Sequence, residues 1–323
     1  MKLSEVIHES IVDAPAAGGD ITAEAVRRGW LLPFAPGQYI YGPEWTELLR
    51  GLQRILLARA AALGFREYLF PRLIPARAID DFRLSQYKPD LVWRAQDEKV
   101  LDPVQCLSLY HVLRGRRLPA ERLPLMAVET LGGWTWRRED DADLDGAFRA
   151  REFMRIEHVW IAAPEQAVRI RNAVRDSVVC LMGELGLSVQ TVVGEPCMPI
   201  EEIDRRREAA ATGDEVPVVD LELRVRSERT PGVVTAQDFD EIGGCTVEGD
   251  HHLASFDIGR EDGGPLWSGC CGVGLNRLVI GFLFQHGFDR ARWPDQVTRN
   301  EPVPTDRMPL GRVPVDGVPA GDG

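Results

Sequence analysis

Two cysteines and a glutamate, on three separate stretches of the chain, carry the side chains best suited to holding a metal ion. Cys106, Glu157 and Cys270 offer two thiolates and one carboxylate, all of which zinc accepts as ligands. Three protein ligands would leave the fourth position of a tetrahedral ion open for a substrate. Their spacing does not force them together, and a buried, inert role is the alternative for each cysteine.

A second group of metal-binding side chains, His251 and His252 beside Asp250, competes with the first. We predict that this segment is extended. Adjacent residues of a strand point to opposite faces, so both imidazoles cannot easily reach one ion. We therefore discount this pair.

Arg137 lies in the segment Trp136–Glu139, which reads WRRE and leads into an acidic loop. Its planar guanidinium can bridge a phosphate and a carboxylate through two parallel donors. Phe153, on the strand predicted to return from this loop, offers a flat apolar face for a purine. From spacing alone, an exposed surface hairpin is the favoured interpretation.

The segment Gly272–Arg277, with the sequence GVGLNR, combines closely spaced glycines with an arginine. Glycine lets the backbone approach a ligand closely. Arg277 is predicted to lie in the first turn of the following helix, where it can clamp an anion. A tight turn from strand to helix is an equally good explanation of this pattern.

Helices and strands of clear periodicity must position these residues, and they indicate an α+β fold: an antiparallel sheet flanked by helices. A doubly wound parallel fold ranks second, since no GxGxxG follows a strand. The predicted helices are Pro43–Leu63, Pro164–Leu185 and Gly274–Phe284, and the predicted strands are Arg66–Phe70, Arg155–Ala162 and Val218–Arg226.

Composition predicts one large domain, residues 36–296, between an N-terminal arm, residues 1–35, and a proline-rich disordered tail, residues 297–323. The N-terminus lacks the layout of a signal peptide and no apolar run is long enough to span a bilayer, which favours a cytoplasmic address with reduced cysteines. A net charge of −12 weakens a nucleic-acid-binding interpretation.

Taken together, these segments resemble the three motifs of class II aminoacyl-tRNA synthetases. Residues 64–71 resemble motif 1, Trp136–Glu139 with Phe153 resembles motif 2, and Gly272–Arg277 resembles motif 3. The likeness is closest to the seryl branch, in its zinc-dependent, methanogen-type form. Phe239–Cys245 is similar to the seryl-type segment that holds a magnesium-binding glutamate. The resemblance spans roughly residues 42–287.

The resemblance implies a role for each motif residue, and a homodimer built through motif 1. Arg137 would bind the α-phosphate of ATP and the substrate carboxylate, and Arg277 the γ-phosphate. The remaining implied roles are adenine stacking by Phe153, base contact by Glu139, magnesium binding by Glu241, and zinc binding by Cys106, Glu157 and Cys270. Cys271 adjoins Cys270 and remains an alternative ligand.

The short segment before motif 1 is similar to amino acid:[carrier protein] ligases, which are truncated relatives of these synthetases. This likeness implies activation of a small, Gly- or Ala-like amino acid as an adenylate. It further implies transfer to the phosphopantetheine thiol of a carrier protein that docks on residues 164–210, with tRNA not expected as a partner. Three alternatives remain: transfer to tRNA, transfer to a small amine or peptide, and a non-catalytic paralogue.

Overall fold

A computed structural model of the chain describes residues 5–12, 19–129, 134–195, 201, 210, 214–226 and 234–298. Its helices are α1 Ile21–Arg27, α2 Pro43–Ala62, α3 Ala76–Asp81, α4 Leu84–Tyr87, α5 Leu107–Val112, α6 Pro164–Glu184, α7 His251–Ser255, α8 Leu275–His286 and α9 Asp295–Thr298. Its strands are β1 Val6–Ser10, β2 Leu31–Ala35, β3 Gln38–Tyr41, β4 Arg66–Tyr68, β5 Leu73–Pro75, β6 Lys99–Leu101, β7 Arg117–Leu118, β8 Leu125–Glu129, β9 Trp134–Trp136, β10 Glu152–Ala162, β11 Val189–Val193, β12 Val218–Arg224, β13 Phe239–Gly249, β14 Gly259–Arg260 and β15 Trp267–Gly274.

One large sheet organises the described residues. Its strand order is β1-β11-β12-β13-β15-β10-β8-β4, and β9 extends the pairing of β10. All neighbours are antiparallel except β4 and β8, which are parallel. The helices α2, α6 and α8 pack against this sheet around one hydrophobic core. The predicted α+β fold, an antiparallel sheet flanked by helices, is confirmed.

The long helices begin and end where the sequence chemistry predicts. Pro43 opens α2 and Pro164 opens α6, both at the first turn, where a missing N–H costs nothing. Gly64 follows α2 with φ +91°, a left-handed conformation that favours glycine. Leu48 and Ile55 are among the residues through which α2 buries one face.

The segment 164–210, expected to dock a partner, contains α6 and β11, and α6 packs on the sheet. Its buried face includes Ile170, Val174 and Leu181. β11 pairs with β1 and β12 inside the large sheet. The helix α6 and the strand β11 of this segment are therefore part of the main fold.

The predicted N-terminal arm, residues 1–35, supplies the edge strand β1, which pairs with β11. The predicted tail, residues 297–323, lies outside the described residues except for Val297 and Thr298. Val297 is buried, and its carbonyl approaches the backbone of Gly51 in α2.

Cys245 and Cys271 face each other across β13 and β15, with Cα atoms 4.1 Å apart and sulfurs in disulfide contact. The sequence predicted reduced cysteines throughout, so this pair differs from the expectation. The reason is register, because the antiparallel pairing sets the two residues directly opposite each other. No helix in the described part of the chain is both long and apolar enough to cross a membrane.

Candidate metal and nucleotide site

The structure brings the three predicted metal ligands together. One thiol sulfur each from Cys106 and Cys270, and a carboxylate oxygen of Glu157, all lie within 4.8 Å of one another. Among the described residues, this is the one group of three or more such side chains close enough to share an ion. Cys106 and Glu157 are buried, and Cys270 is partly exposed.

Strand pairing explains why these residues meet. Glu157 on β10 lies opposite Gly272 on β15, and Cys270 precedes Gly272 by two positions, so its side chain is on the same face. Cys106 sits at the start of α5 and reaches this face from outside the sheet. Cys271 points to the opposite face, towards Cys245. Cys270, not Cys271, therefore belongs to the cluster.

Burial and mutual contact raise the pKa of all three groups when no cation is present. A hydrogen bond with Cys270 works to lower the pKa of Cys106, but burial and nearby carboxylates outweigh it and raise that pKa to about 12. The hydrogen bond to Cys106, and then burial, raise the pKa of Cys270 well above its usual range. Burial raises the pKa of Glu157 to about 7, although Arg155 opposes this shift.

This donor set fits zinc. Tetrahedral zinc holds thiolate sulfur at about 2.3 Å and carboxylate oxygen at about 2.0–2.2 Å, so ligand atoms of one ion lie about 3–4 Å apart. The observed spread of at most 4.8 Å is close to this separation. A divalent cation would also favour the deprotonated forms that burial disfavours. Two thiols and a carboxylate form a borderline-soft set that suits zinc better than magnesium or calcium.

The sequence analysis assigned no role to two neighbours of the cluster, Arg155 and Gln105. Arg155 Nη2 lies 2.9 Å from Glu157 Oε2, and Arg155 Nε donates to Gln105 Oε1 at 3.0 Å. Each is close in sequence to a predicted ligand, which is the signal that could have found them.

Arg137 and Phe153, which the resemblance assigns to motif 2, lie in contact. The Arg137 guanidinium carbon lies 5.5 Å from the centre of the Phe153 ring, and its Nε donates to the carbonyl of Pro103. Glu139 lies further along the same loop, where Arg149 approaches its carboxylate at 3.3 Å. The acidic loop is therefore partly neutralised by its own arginines.

Arg277 and Glu241 form a second contact at the start of α8. Arg277 Nη1 donates to the carbonyl of Glu241 at 2.7 Å and lies 3.5 Å from its carboxylate. Asp220, which the sequence did not single out, is close to Glu241. Burial, followed by repulsion from Glu241 and Glu222, raises the pKa of Asp220 to about 8. A cation at this position would relieve that repulsion.

Each of the two arginines contacts a phenylalanine of the segment 148–153. Arg277 stacks over Phe148, with its guanidinium carbon 5.2 Å from the ring centre, and donates to the Phe148 carbonyl at 3.2 Å. Arg137 contacts Phe153 on the same returning segment. Asn276, next to Arg277 on α8, connects this helix to β10 and β3. Its side chain accepts a hydrogen bond from the Met154 amide and donates one to the Tyr41 hydroxyl.

The histidine pair lies on the helix α7, not on the extended strand that the sequence predicted. His252 is buried and stacks on Phe82, with ring centres 4.0 Å apart. Its Nε2 lies 3.4 Å from an oxygen of Glu248, which also accepts a hydrogen bond from the hydroxyl of Tyr110. His252 is thus part of a buried polar cluster beside Cys270, whose sulfur lies 3.8 Å from Glu248.

Solved structures share this architecture. SerRS of Methanopyrus kandleri, in a complex with tRNASec of A. aeolicus, matches 91% of this chain with a TM-score of 0.80 and 31% identity. Cytoplasmic serine-tRNA ligase of Naegleria fowleri, solved with AMP, matches 92% with a TM-score of 0.72 and 13% identity. The chain has a class II aminoacyl-tRNA synthetase fold.

The sequence relatives of this chain are also named as serine–tRNA ligases. The type-2 serine–tRNA ligases of Methanopyrus kandleri and Methanothermobacter thermautotrophicus are 33% and 32% identical to it, each over 86% of the chain. The chain spans 59% of the length of each of these relatives. No protein-family model matches it.

These comparisons correct one group of expectations about this synthetase-like chain. A carrier protein was expected as partner and tRNA was not, yet the related SerRS was solved bound to tRNA. The named relatives are tRNA ligases, and none of them is a carrier-protein ligase. The short segment before motif 1 misled the prediction, because it was treated as a sign of a different acceptor.

Proposed function

We propose that this chain activates a small amino acid, serine by analogy with its relatives, as an aminoacyl adenylate at the expense of ATP. A tRNA then accepts the aminoacyl group. The observation that carries the proposal is the convergence of Cys106, Glu157 and Cys270 on one face of the sheet. A class II synthetase fold surrounds this cluster, and the two motif arginines contact Phe153 and Phe148.

Each side chain has a physical role in this reaction. Arg137 would hold the α-phosphate and the substrate carboxylate through its two parallel donors. Phe153, directly beneath Arg137, offers its ring to adenine, and Glu139 would contact the base. Arg277 would bind the γ-phosphate, and Glu241, with Asp220 nearby, would hold magnesium. Positioning and charge neutralisation supply most of the rate in such phosphoryl chemistry.

Cys106, Glu157 and Cys270 would hold the zinc ion. When bound, zinc supplies a Lewis-acid position that can take the neutral α-amino group of a substrate. A hydroxy acid lacks this ligand and would be rejected. Arg155 would keep the Glu157 carboxylate oriented towards the cluster, because its guanidinium lies 2.9 Å from one carboxylate oxygen.

The names of the relatives support tRNA as the acceptor. The type-2 ligases charge tRNA with serine by name, and one solved relative is bound to tRNA. The net charge of −12 requires any tRNA contact to come from local basic patches. The class of acceptor therefore needs a separate test from the activation step.

Pyrophosphate exchange tests the activation step. Zinc-replete protein, incubated with ATP, labelled pyrophosphate and each of the twenty amino acids in turn, should show exchange with serine or another small amino acid. Exchange with none of them would overturn the proposal. Transfer is tested with labelled serine and total tRNA. An acid-precipitable product that alkali releases supports tRNA as the acceptor, and exchange without this product would refute that half alone.

A further inference from the structure

The turn that presents Cys106 is held by the residue just before it. Gln105 is fully buried and adopts φ +32°, a left-handed conformation that is uncommon for a residue with a side chain. One carboxylate oxygen of Asp102 accepts hydrogen bonds from the amides of Val104, at 3.1 Å, and Gln105, at 3.0 Å. The backbone at Cys106 is thus fixed by contacts that do not involve its thiol.

The side chain of Gln105 connects this turn to the strand that carries Glu157. Its Oε1 accepts from Arg155 Nε at 3.0 Å, and its Nε2 donates to Glu129 Oε2 at 2.9 Å. Arg155 in turn lies 2.9 Å from Glu157 Oε2. The reverse orientation of the amide would set its N–H groups against the guanidinium and its oxygen against the carboxylate, so the orientation is determined.

Glu129, which accepts the hydrogen bond from Gln105, is itself held in place by an ion pair. Glu129, which is fully buried at the end of β8, forms an ion pair with Arg72, and Arg72 lies 3.4 Å from Asp102. Asp102 is the residue that caps the turn before Cys106. The contacts therefore close a loop in which Gln105 is bound at its backbone and at both ends of its amide.

We infer that Gln105 is a positioning residue for the metal cluster. It fixes Cys106 through its own backbone, and it fixes Glu157 through Arg155, so that the two ligands keep the separation one ion needs. Gln105 touches neither ligand atom through its side chain, and it acts through Arg155 and the turn. This inference rests on the proposed function only in taking the cluster to hold zinc.

The test compares the same substitution at two buried glutamines. Gln105→Met removes both amide bonds at nearly constant volume. Gln285→Met does the same in α8, where the Gln285 side chain accepts from the Ser188 amide at 2.6 Å and donates to the Arg224 carbonyl at 3.0 Å. Zinc affinity is measured by competition with a chelator, and cobalt(II) absorption reports how many thiolates bind.

We expect zinc affinity to fall by about 10–100-fold in Gln105→Met, as it does when outer partners of metal ligands are removed elsewhere. The cobalt spectrum should change with it. Gln285→Met should keep the affinity and spectrum of the wild type, even if it unfolds at a lower temperature. Wild-type affinity and spectrum in Gln105→Met would overturn the inference.

A second variant guards against misfolding. Gln105→Asn keeps a polar amide but is one methylene too short to reach Arg155 and Glu129 at once. It should fold, by circular dichroism, and still bind zinc more weakly than the wild type. Unaltered binding by folded Gln105→Asn would also overturn the inference. A wild-type protein that binds neither metal would instead refute the zinc part of the proposed function, which separates the two failures.

Discussion

Glu157 and Gly272 face each other across β10 and β15, and a Cβ atom at position 272 would lie 2.5 Å from the Glu157 carboxylate oxygen. Real Cβ atoms do not come so close, so the glycine leaves the room that the carboxylate occupies. We predict that Gly272→Ala displaces Glu157 and weakens zinc binding by about tenfold or more. Isothermal titration with zinc measures this effect.

Gly183 provides the control for this substitution. It lies on the exposed side of α6, with nothing within 4 Å of an added Cβ. Gly183→Ala should leave zinc binding unchanged and stabilise the helix by about 0.5–1 kcal/mol. Equal zinc binding by both variants would contradict the proposed closeness of Glu157 to the ion.

Metal content distinguishes the three cysteines near the cluster. We predict about one zinc per chain in the purified protein, lost in Cys106→Ala and in Cys270→Ala. Cys271→Ala should retain its zinc, since Cys271 points to the opposite face of β15. Inductively coupled plasma mass spectrometry gives the stoichiometry. Retention of zinc in Cys270→Ala together with its loss in Cys271→Ala would reverse the assignment.

Arg277 tests the nucleotide half of the site. Arg277→Ala removes the guanidinium that contacts Glu241 and Phe148. Because Arg277 would neutralise charge on the γ-phosphate of the leaving pyrophosphate, its loss should slow pyrophosphate exchange by about 100–1,000-fold. Arg290→Ala removes an exposed arginine paired with Glu47 and serves as the control, with exchange expected near the wild-type rate. Similar rates in both variants would remove Arg277 from the reaction.

Arg72 tests the buried ion pairs beneath the cluster. Arg72→Met removes the cation that pairs with Glu129 and lies 3.4 Å from Asp102, both of which are fully buried. Breaking a buried pair by removing one partner costs about 3–5 kcal/mol of unfolding free energy. Urea denaturation should show this loss, while Arg290→Met, at an exposed pair, should change stability by about 1 kcal/mol at most. A loss as small as that of the control would contradict the structural role of Arg72.

The sequence predicted the long elements well because their signals are local. The helix predicted over Pro43–Leu63 is observed over Pro43–Ala62, and the helix Pro164–Leu185 over Pro164–Glu184. Apolar periodicity and a proline at the first turn define both helices without reference to the rest of the chain. The short helix α7 was missed, since five residues are too few to show a helical period.

The candidate site was predicted only in part, because its contacts depend on strand register. The resemblance supplied Cys106, Glu157 and Cys270, whereas spacing alone left them apart. For Gln105 the sequence offered only its position next to Cys106, which does not reveal the role of its amide. Its partners, Arg155 and Glu129, become neighbours only when β8 and β10 pair in the large sheet.

Cys270 and Cys271 are consecutive residues on β15, yet one lies with the candidate ligands and the other is buried against Cys245. If β15 slipped by a single residue against its neighbours, the side chain of Cys271 would face Glu157 and that of Cys270 would face the core. The hydrogen-bond register between β15 and its neighbouring strands therefore determines which sulfur an ion can reach. Any substitution that loosens β10 or β13 would act on ligand choice from a distance, without touching a ligand.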